Sequence, residues 1–92
     1  MFGDFAKYII VRGKYPISRD TEIAIVFSPL LVHAEMARTR EVISAGFVDC
    51  NFNCFGKSIS LGIASRPEKD SEIIMNAFGT DAKEMRRMRR IN

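Results

Sequence analysis

The chain has 92 residues, of which 47% are hydrophobic and 27% are charged, so its composition excludes the disordered and fibrous classes and fits one globular domain. Its net charge of +3 is unevenly placed: residues 1–82 hold nine basic and ten acidic side chains, whereas residues 83–92 hold five basic and one acidic. No apolar run approaches the roughly 20 residues that a membrane-spanning helix needs, and the first residues lack the basic and apolar blocks of a signal peptide, so we expect a cytoplasmic protein.

Two strands are predicted in the first third of the chain. Residues 7–11 (KYIIV) are β-branched and aromatic and stop before Gly13, which is typical of a strand. Residues 22–27 (EIAIVF) carry apolar side chains on both faces, which favours a strand inside the sheet. The polar loop between the two strands holds three cations, Arg12, Lys14 and Arg19.

The first helix is predicted to begin at Ser28-Pro29, because a serine can cap the first turn and proline suits the first helical position. We expect this helix to cover residues 29–38. The spacing of Leu30, Ala34 and Ala37 predicts the stripe that faces the sheet.

Two more strands and a second helix follow. Residues 42–48 are a predicted strand, and so are residues 57–63, where strict alternation places the isoleucines and leucine on the core and the serines toward solvent. The second helix begins at Ser65-Arg66-Pro67 and ends at Gly79. Its predicted buried stripe consists of Ile73, Ile74, Ala77 and Phe78.

The predicted order ββαββα indicates an α+β fold, a two-layer sandwich over residues 1–79. We expect a four-stranded, mainly antiparallel meander with the helices on one face. We expect residues 80–92 to form a basic amphipathic tail or short helix, since Asp81 and Glu84 can start a helix. Met85 and Met88 lie on one side of that segment.

No complete catalytic set is evident, and the sequence predicts no cofactor and no metal site. His33 has no residue spaced to orient it as a general base, so we expect it to pack at the core boundary. Cys50 and Cys54 could at most recruit His33 as a third zinc ligand, where a structural site needs four. Free thiols and a hairpin disulfide remain alternatives for the pair. Acidic residues at the start of the second helix, Glu68, Asp70 and Glu72, are explained by its positive end.

The aromatic side chains divide into two groups. Phe27, Phe47 and Phe78 are expected in the core. Phe52 and Phe55 lie near a turn, where they either fold back over the edge of the core or serve as a partner anchor or base-stacking platform.

Three segments carry a resemblance to known proteins: EIAIVFSPLLVHAEMA (22–37), VISAGFV (42–48) and GKSISLGIASRPEKDSEII (56–74). They resemble a group of small uncharacterised phage and prophage proteins over residues 7–78. The resemblance implies a mobile-element accessory protein of the kind that binds a host or defence complex, such as a CRISPR effector. It implies no catalytic or binding residues.

The leading hypothesis is a non-enzymatic, phage- or mobile-element-encoded protein that docks on a host protein or nucleoprotein complex and inhibits it. Concentrated positive charge attracts acidic or phosphate surfaces. The alternative is direct DNA or RNA binding, and a small enzyme is a third hypothesis. Self-association through a free sheet edge or the methionines is a separate prediction. The predicted contacts are Lys83, Arg86, Arg87, Arg89 and Arg90 of the tail, with Arg12, Lys14 and Arg19 of the loop.

Overall fold

The fold is organised around one four-stranded sheet in the computed structural model, which describes residues 5–79. The predicted α+β class is confirmed, because an antiparallel sheet is covered by a helix in two layers. In chain order, the elements are β1 (Phe5–Arg12), β2 (Glu22–Phe27), α1 (His33–Ala37), β3 (Val42–Asp49), β4 (Cys54–Phe55), β5 (Lys57–Ser58), β6 (Ile63–Ala64) and α2 (Pro67–Ile74), which continues as a π-helical turn over Met75–Gly79. The predicted tail lies outside the described residues.

The strand β1 is central because it is apolar on both faces. Ile9, Ile10 and Val11 are all buried, and β1 pairs antiparallel with β2 on one side and with β3 on the other. The sheet order is β2-β1-β3-β4. The predicted meander is therefore wrong, since β3 returns beside β1. The prediction that β2 lies inside the sheet is also wrong, because β2 forms an edge.

Each face of the sheet has its own apolar cluster. Alternate residues of β1 point to opposite faces, so Tyr8 and Ile10 pack with Ile74 of α2, whereas Ile9 and Val11 pack with Ala37 of α1. We call these clusters the α2-side core and the α1-side core. The main helix α2 forms the second layer as expected, but the short helix α1 packs on the opposite face. The prediction that the helices share one face is therefore wrong.

The first helix is shorter than predicted. Ser28 begins a turn, in which its carbonyl accepts the Leu31 N–H at 3.0 Å, and α1 starts only at His33. Leu30 is 92% exposed, so it does not face the sheet. The position of α1 is set instead by the burial of His33 and Ala37. Packing against the sheet therefore decided where α1 begins, and the local capping signal at Ser28-Pro29 did not.

The predicted strand 57–63 is replaced by a small hairpin of β5 and β6. Its turn is closed by the buried Ser58, whose Oγ accepts the Leu61 N–H at 3.1 Å. Gly62 adopts φ 67° in this turn, a conformation that favours glycine. The expected faces are reversed at the start of the segment, because Ser58 is buried and Ile59 is 90% exposed. The fourth strand of the sheet is therefore β4.

The second helix begins as predicted, with Pro67 in its first turn. Ile74 is buried and Ile73 packs against the α2-side core, which confirms half of the predicted stripe. The other half is wrong, because Ala77 and Phe78 are exposed on the π-helical turn. The wider turn rotates later residues away from the face that an α-helix would bury.

Candidate functional site

A cleft of about 410 Å³ lies at one end of the sheet, between the 13–21 loop and the turn that precedes β3. Its floor is apolar and its rim is charged. Apolar side chains from β1, β2 and the loop line it, namely Val11, Ile17, Ile23 and Ile25. The charged lining residues are Arg12, Lys14, Arg19, Arg40 and Glu41. We call this feature the basic cleft.

Backbone hydrogen bonds hold the two walls of the basic cleft against the sheet. Gly13 N–H donates to the Thr21 carbonyl at 2.7 Å and closes the base of the loop. Arg12 N–H donates to the Glu41 carbonyl at 2.9 Å and ties β1 to the opposite wall. A side chain at position 13 would collide with the Ser18 carbonyl, so the loop depends on glycine there.

Glu41 joins two of the predicted contact residues. Its Oε2 lies 2.6 Å from Arg12 Nε and its Oε1 lies 3.0 Å from Arg19 Nη2. These hydrogen bonds, first that from Arg12, hold the pKa of Glu41 below its usual value. Two of the three loop cations, Arg12 and Arg19, thus bind the same carboxylate through their guanidinium groups. Sequence analysis missed Glu41, since it is 29 residues from Arg12 along the chain.

The remaining cations of the basic cleft are not ion-paired within residues 5–79. Lys14 is exposed, and Arg40 Nη1 donates to the Met36 carbonyl at 3.2 Å. Four cations therefore face one carboxylate in the cleft. The structure brings together all three predicted loop residues and adds Arg40, which sequence analysis did not select. The predicted tail contacts, Lys83, Arg86, Arg87, Arg89 and Arg90, lie outside the described residues.

A second charged cluster, the Asp70 network, is buried between α2 and the sheet. The carboxylate of Asp70 is fully buried and accepts hydrogen bonds from Tyr8 Oη at 2.5 Å and Ser44 Oγ at 2.8 Å. It also accepts bonds from the backbone N–H and the guanidinium of Arg66, at 2.9 and 3.0 Å. Arg66 in turn reaches Glu22 Oε1 at 2.7 Å, which lowers the pKa of Glu22. The network fastens α2 to three strands.

The sequence contains a signal for this network in the position of Asp70 on α2. Asp70 lies three and four residues before Ile73 and Ile74, so helical spacing places it on the buried stripe. A charged residue on such a stripe needs buried partners. The helix-end explanation of Asp70 was therefore incomplete.

The buried groups nearby are poor nucleophiles. Burial, followed by the hydrogen bond to Asp70, raises the pKa of Tyr8 well above its usual range. Burial also raises the pKa of the Cys54 thiol to about 11, so it stays protonated near neutral pH. Cys50 is exposed, and both thiols are free. No group of three or more potential metal ligands occurs within residues 5–79.

His33 occupies the predicted core boundary as a packing residue. Its ring is buried and contacts Phe27 and Phe47 edge-on, with ring centroids 5.5 and 5.8 Å away. Nε2–H donates to the Gly46 carbonyl at 2.9 Å. Burial lowers the pKa of His33 and so favours the neutral ring. The geometry fixes α1 on the sheet.

Phe52 and Phe55, which were each predicted either to cover the edge of the core or to anchor a partner, differ in burial. Phe52 packs against the α2-side core. Phe55 is 43% exposed and stacks on Phe47 at 5.7 Å, with Phe5 beside it. Phe55 therefore remains available as an anchor.

Comparison of the chain with protein-family models, curated proteins and solved structures finds no match. Within residues 5–79, no helix is long and apolar enough to cross a membrane.

Proposed function

We propose that this chain is a non-enzymatic binding protein that docks on an acidic surface of a larger host complex through the basic cleft. The observation that carries the proposal is the cleft itself, in which four cations and one carboxylate surround an apolar floor. An apolar floor with a charged rim is the usual composition of a protein-binding site. Arginine forks suit carboxylate and phosphate groups.

We infer the setting from the resemblance of three sequence segments to phage proteins. We propose a host-defence nucleoprotein in the host cytoplasm as the target, of which a CRISPR effector is one example. A chain of this size can block such a complex by occupying a site for nucleic acid. Stable occupation would bury on the order of 1,600 Å² in total, so surfaces beyond the basic cleft, including the basic residues 83–90, are expected to contribute.

Direct binding of DNA or RNA is a second candidate, favoured by Tyr15. This residue is 93% exposed and directly follows Lys14 on the rim. An exposed aromatic ring beside cations can stack on an unpaired base. This function predicts a log–log salt dependence with a slope of about 0.9 per neutralised phosphate for a duplex.

Affinity capture from host cells tests the proposal. The full chain is compared with Lys14→Glu, which reverses one charge in the basic cleft, and with Lys57→Glu, which makes the same change on the β5 hairpin. We expect a stoichiometric protein partner that survives nuclease treatment, is lost with Lys14→Glu and is kept with Lys57→Glu. Equal capture by both variants, or no stoichiometric partner, would contradict the proposal. Nucleic acid recovered without protein would favour the second candidate.

A further inference from the structure

The outer edge of β2 carries backbone groups that have no partner within residues 5–79. Gly13 N–H bonds to the Thr21 carbonyl just beyond the last β1–β2 pair, Arg12 with Glu22, and the register within the strands pairs Val11 with Ile23. Hydrogen-bonded and non-bonded pairs alternate along an antiparallel ladder. The N–H and C=O groups of Ile23, Ile25 and Phe27 therefore face β1, whereas those of Glu22, Ala24 and Val26 point outward.

The side chains of β2 resemble those of an interior strand. Ala24 and Val26 pack against the α2-side core, and Ile23 and Ile25 pack against the α1-side core. Apolar residues on both faces are typical of strands that are covered on both faces. Natural edge strands are usually protected by charge, proline, a bulge or short length. The interior of β2 has none of these, because Glu22 and Pro29 lie at or beyond its ends.

The opposite edge of the sheet is protected. The strand β4 has only two residues, and the chain then turns at Gly56 with φ 77°. The β5–β6 hairpin follows, and its base is closed by the Ser65 N–H, which donates to the Gly56 carbonyl at 3.0 Å. One edge of the sheet is thus formed by a strand of two residues, whereas the β2 edge is formed by a strand of six.

We propose that β2 is a pairing edge for a second copy of this chain. The two β2 strands run antiparallel across a twofold axis perpendicular to the sheet, and the sheet becomes continuous through both copies. In an antiparallel pair, the side chains of two directly opposite residues lie on the same face of the sheet. The residues whose backbone groups point outward, Glu22, Ala24 and Val26, therefore pair with one another across the axis. An axis at Ala24 pairs Ala24 with Ala24 and Glu22 with Val26 of the second copy. This register satisfies every outward N–H and C=O of β2.

A second copy fits this edge for reasons of size and chemistry. A strand added at this edge would lie beside apolar side chains on both faces, and β2 itself is apolar on both faces. Ala24 at the axis is a small side chain that lets the α2 layers approach. On the other face, Ile23 lies opposite Ile25 of the second copy. Because these residues also line the basic cleft, the two clefts come side by side on one face.

The test combines oligomeric state with hydrogen exchange on the full chain. Sedimentation over a concentration series should show a reversible monomer–dimer equilibrium. In the dimer, the amides of Glu22, Ala24 and Val26 should exchange at least about tenfold more slowly than in the monomer. Ala24→Pro removes one outward N–H without touching the β1–β2 ladder, so it should leave a folded monomer, whereas Ala24→Ser, which keeps both the N–H and a small side chain, should still dimerise.

Several outcomes would overturn this inference. These are a chain that stays monomeric at the highest soluble concentration, a dimer in which the three amides remain unprotected, or dimerisation that persists in Ala24→Pro. Protection of those amides in the monomer would show that the chain covers its own edge. If Ala24→Pro fails to fold, the concentration dependence of amide protection in the unaltered chain still decides the matter.

Discussion

Asp70 and Glu41 each bind at least one arginine and one further side chain, but in different surroundings. Asp70 is fully buried under α2 with Tyr8, Ser44 and Arg66 as partners. Glu41 bridges Arg12 and Arg19 with its side chain 55% exposed. When a carboxylate is removed from a buried network, its partners lose a hydrogen-bond acceptor that water cannot replace. Exposed partners form hydrogen bonds with water instead. The first contact therefore holds the fold together, and the second shapes a surface.

The largest effect on stability is expected when the buried Asp70 network is disrupted. Asp70→Ala leaves the buried hydroxyls of Tyr8 and Ser44 without their acceptor, and it leaves the Arg66 guanidinium with Glu22 as its remaining carboxylate partner. We expect the free energy of unfolding to fall by about 3–5 kcal/mol, measured by urea denaturation.

Two variants sharpen the Asp70 result. Ser44→Ala removes one donor and leaves the rest of the network, so it should cost about 1 kcal/mol. Glu68→Ala removes an exposed carboxylate from the same helical turn and should change stability little. If Asp70→Ala and Glu68→Ala have equal effects, the network does not hold α2 on the sheet.

A smaller effect on stability is expected from His33, which is a buried basic side chain. Its pKa is lowered by burial, so the unfolded chain binds a proton at higher pH than the folded chain does. The free energy of unfolding should be insensitive to this group above about pH 6.5 and should fall as the pH drops below it. Urea denaturation of the unaltered chain and His33→Gln across this range measures the difference.

The pH window separates His33 from the carboxylates. Glu22 and Asp49 have pKa values lowered from 4.5 and 3.8, so the stability that they contribute is lost only at lower pH. His33→Gln should therefore flatten the decline between neutral pH and pH 5, a range set by the ordinary histidine pKa of about 6.5. An unchanged decline in that variant would assign the effect to another group.

The smallest effect on stability is expected from Glu41, where the function should change instead. Glu41→Gln removes the negative charge of the basic cleft and frees Arg12 and Arg19 for an external anion. The free energy of unfolding should hardly change, while the salt concentration needed to elute the protein from immobilised heparin should rise. Glu72→Gln makes the same charge change on the exposed face of α2 and should raise elution less. Equal shifts would mean that only net charge matters.

Local patterns explain which parts of the fold were predictable. The strands β1, β2 and β3 were predicted with nearly the observed bounds, and Pro67 marked the start of α2. Each depends on neighbours within a few residues. The prediction of a strand at residues 57–63 was wrong because alternating serines and apolar residues fit a strand and a tight hairpin equally. The hydrogen bond from the Leu61 N–H to Ser58 Oγ closes a turn and so favours the hairpin.

The candidate site was predicted only in part. Arg12, Lys14 and Arg19 belong to one loop, so their proximity followed from the sequence. Glu41 and Arg40 join them from the turn before β3, which required the pairing of β1 with β3. The predicted contacts in the tail remain a prediction.

By itself, the sequence determined the α+β class, the three long strands and the concentration of cations in one loop and one terminal segment, because alternation, proline placement and charge are properties of adjacent residues. The tertiary structure alone decided that β2 is an edge, that Asp70 is buried with Tyr8 and Ser44, and that Glu41 lies between two arginines. Those outcomes depend on contacts between residues far apart in the chain, and such contacts are set by how the strands pair and not by local propensity.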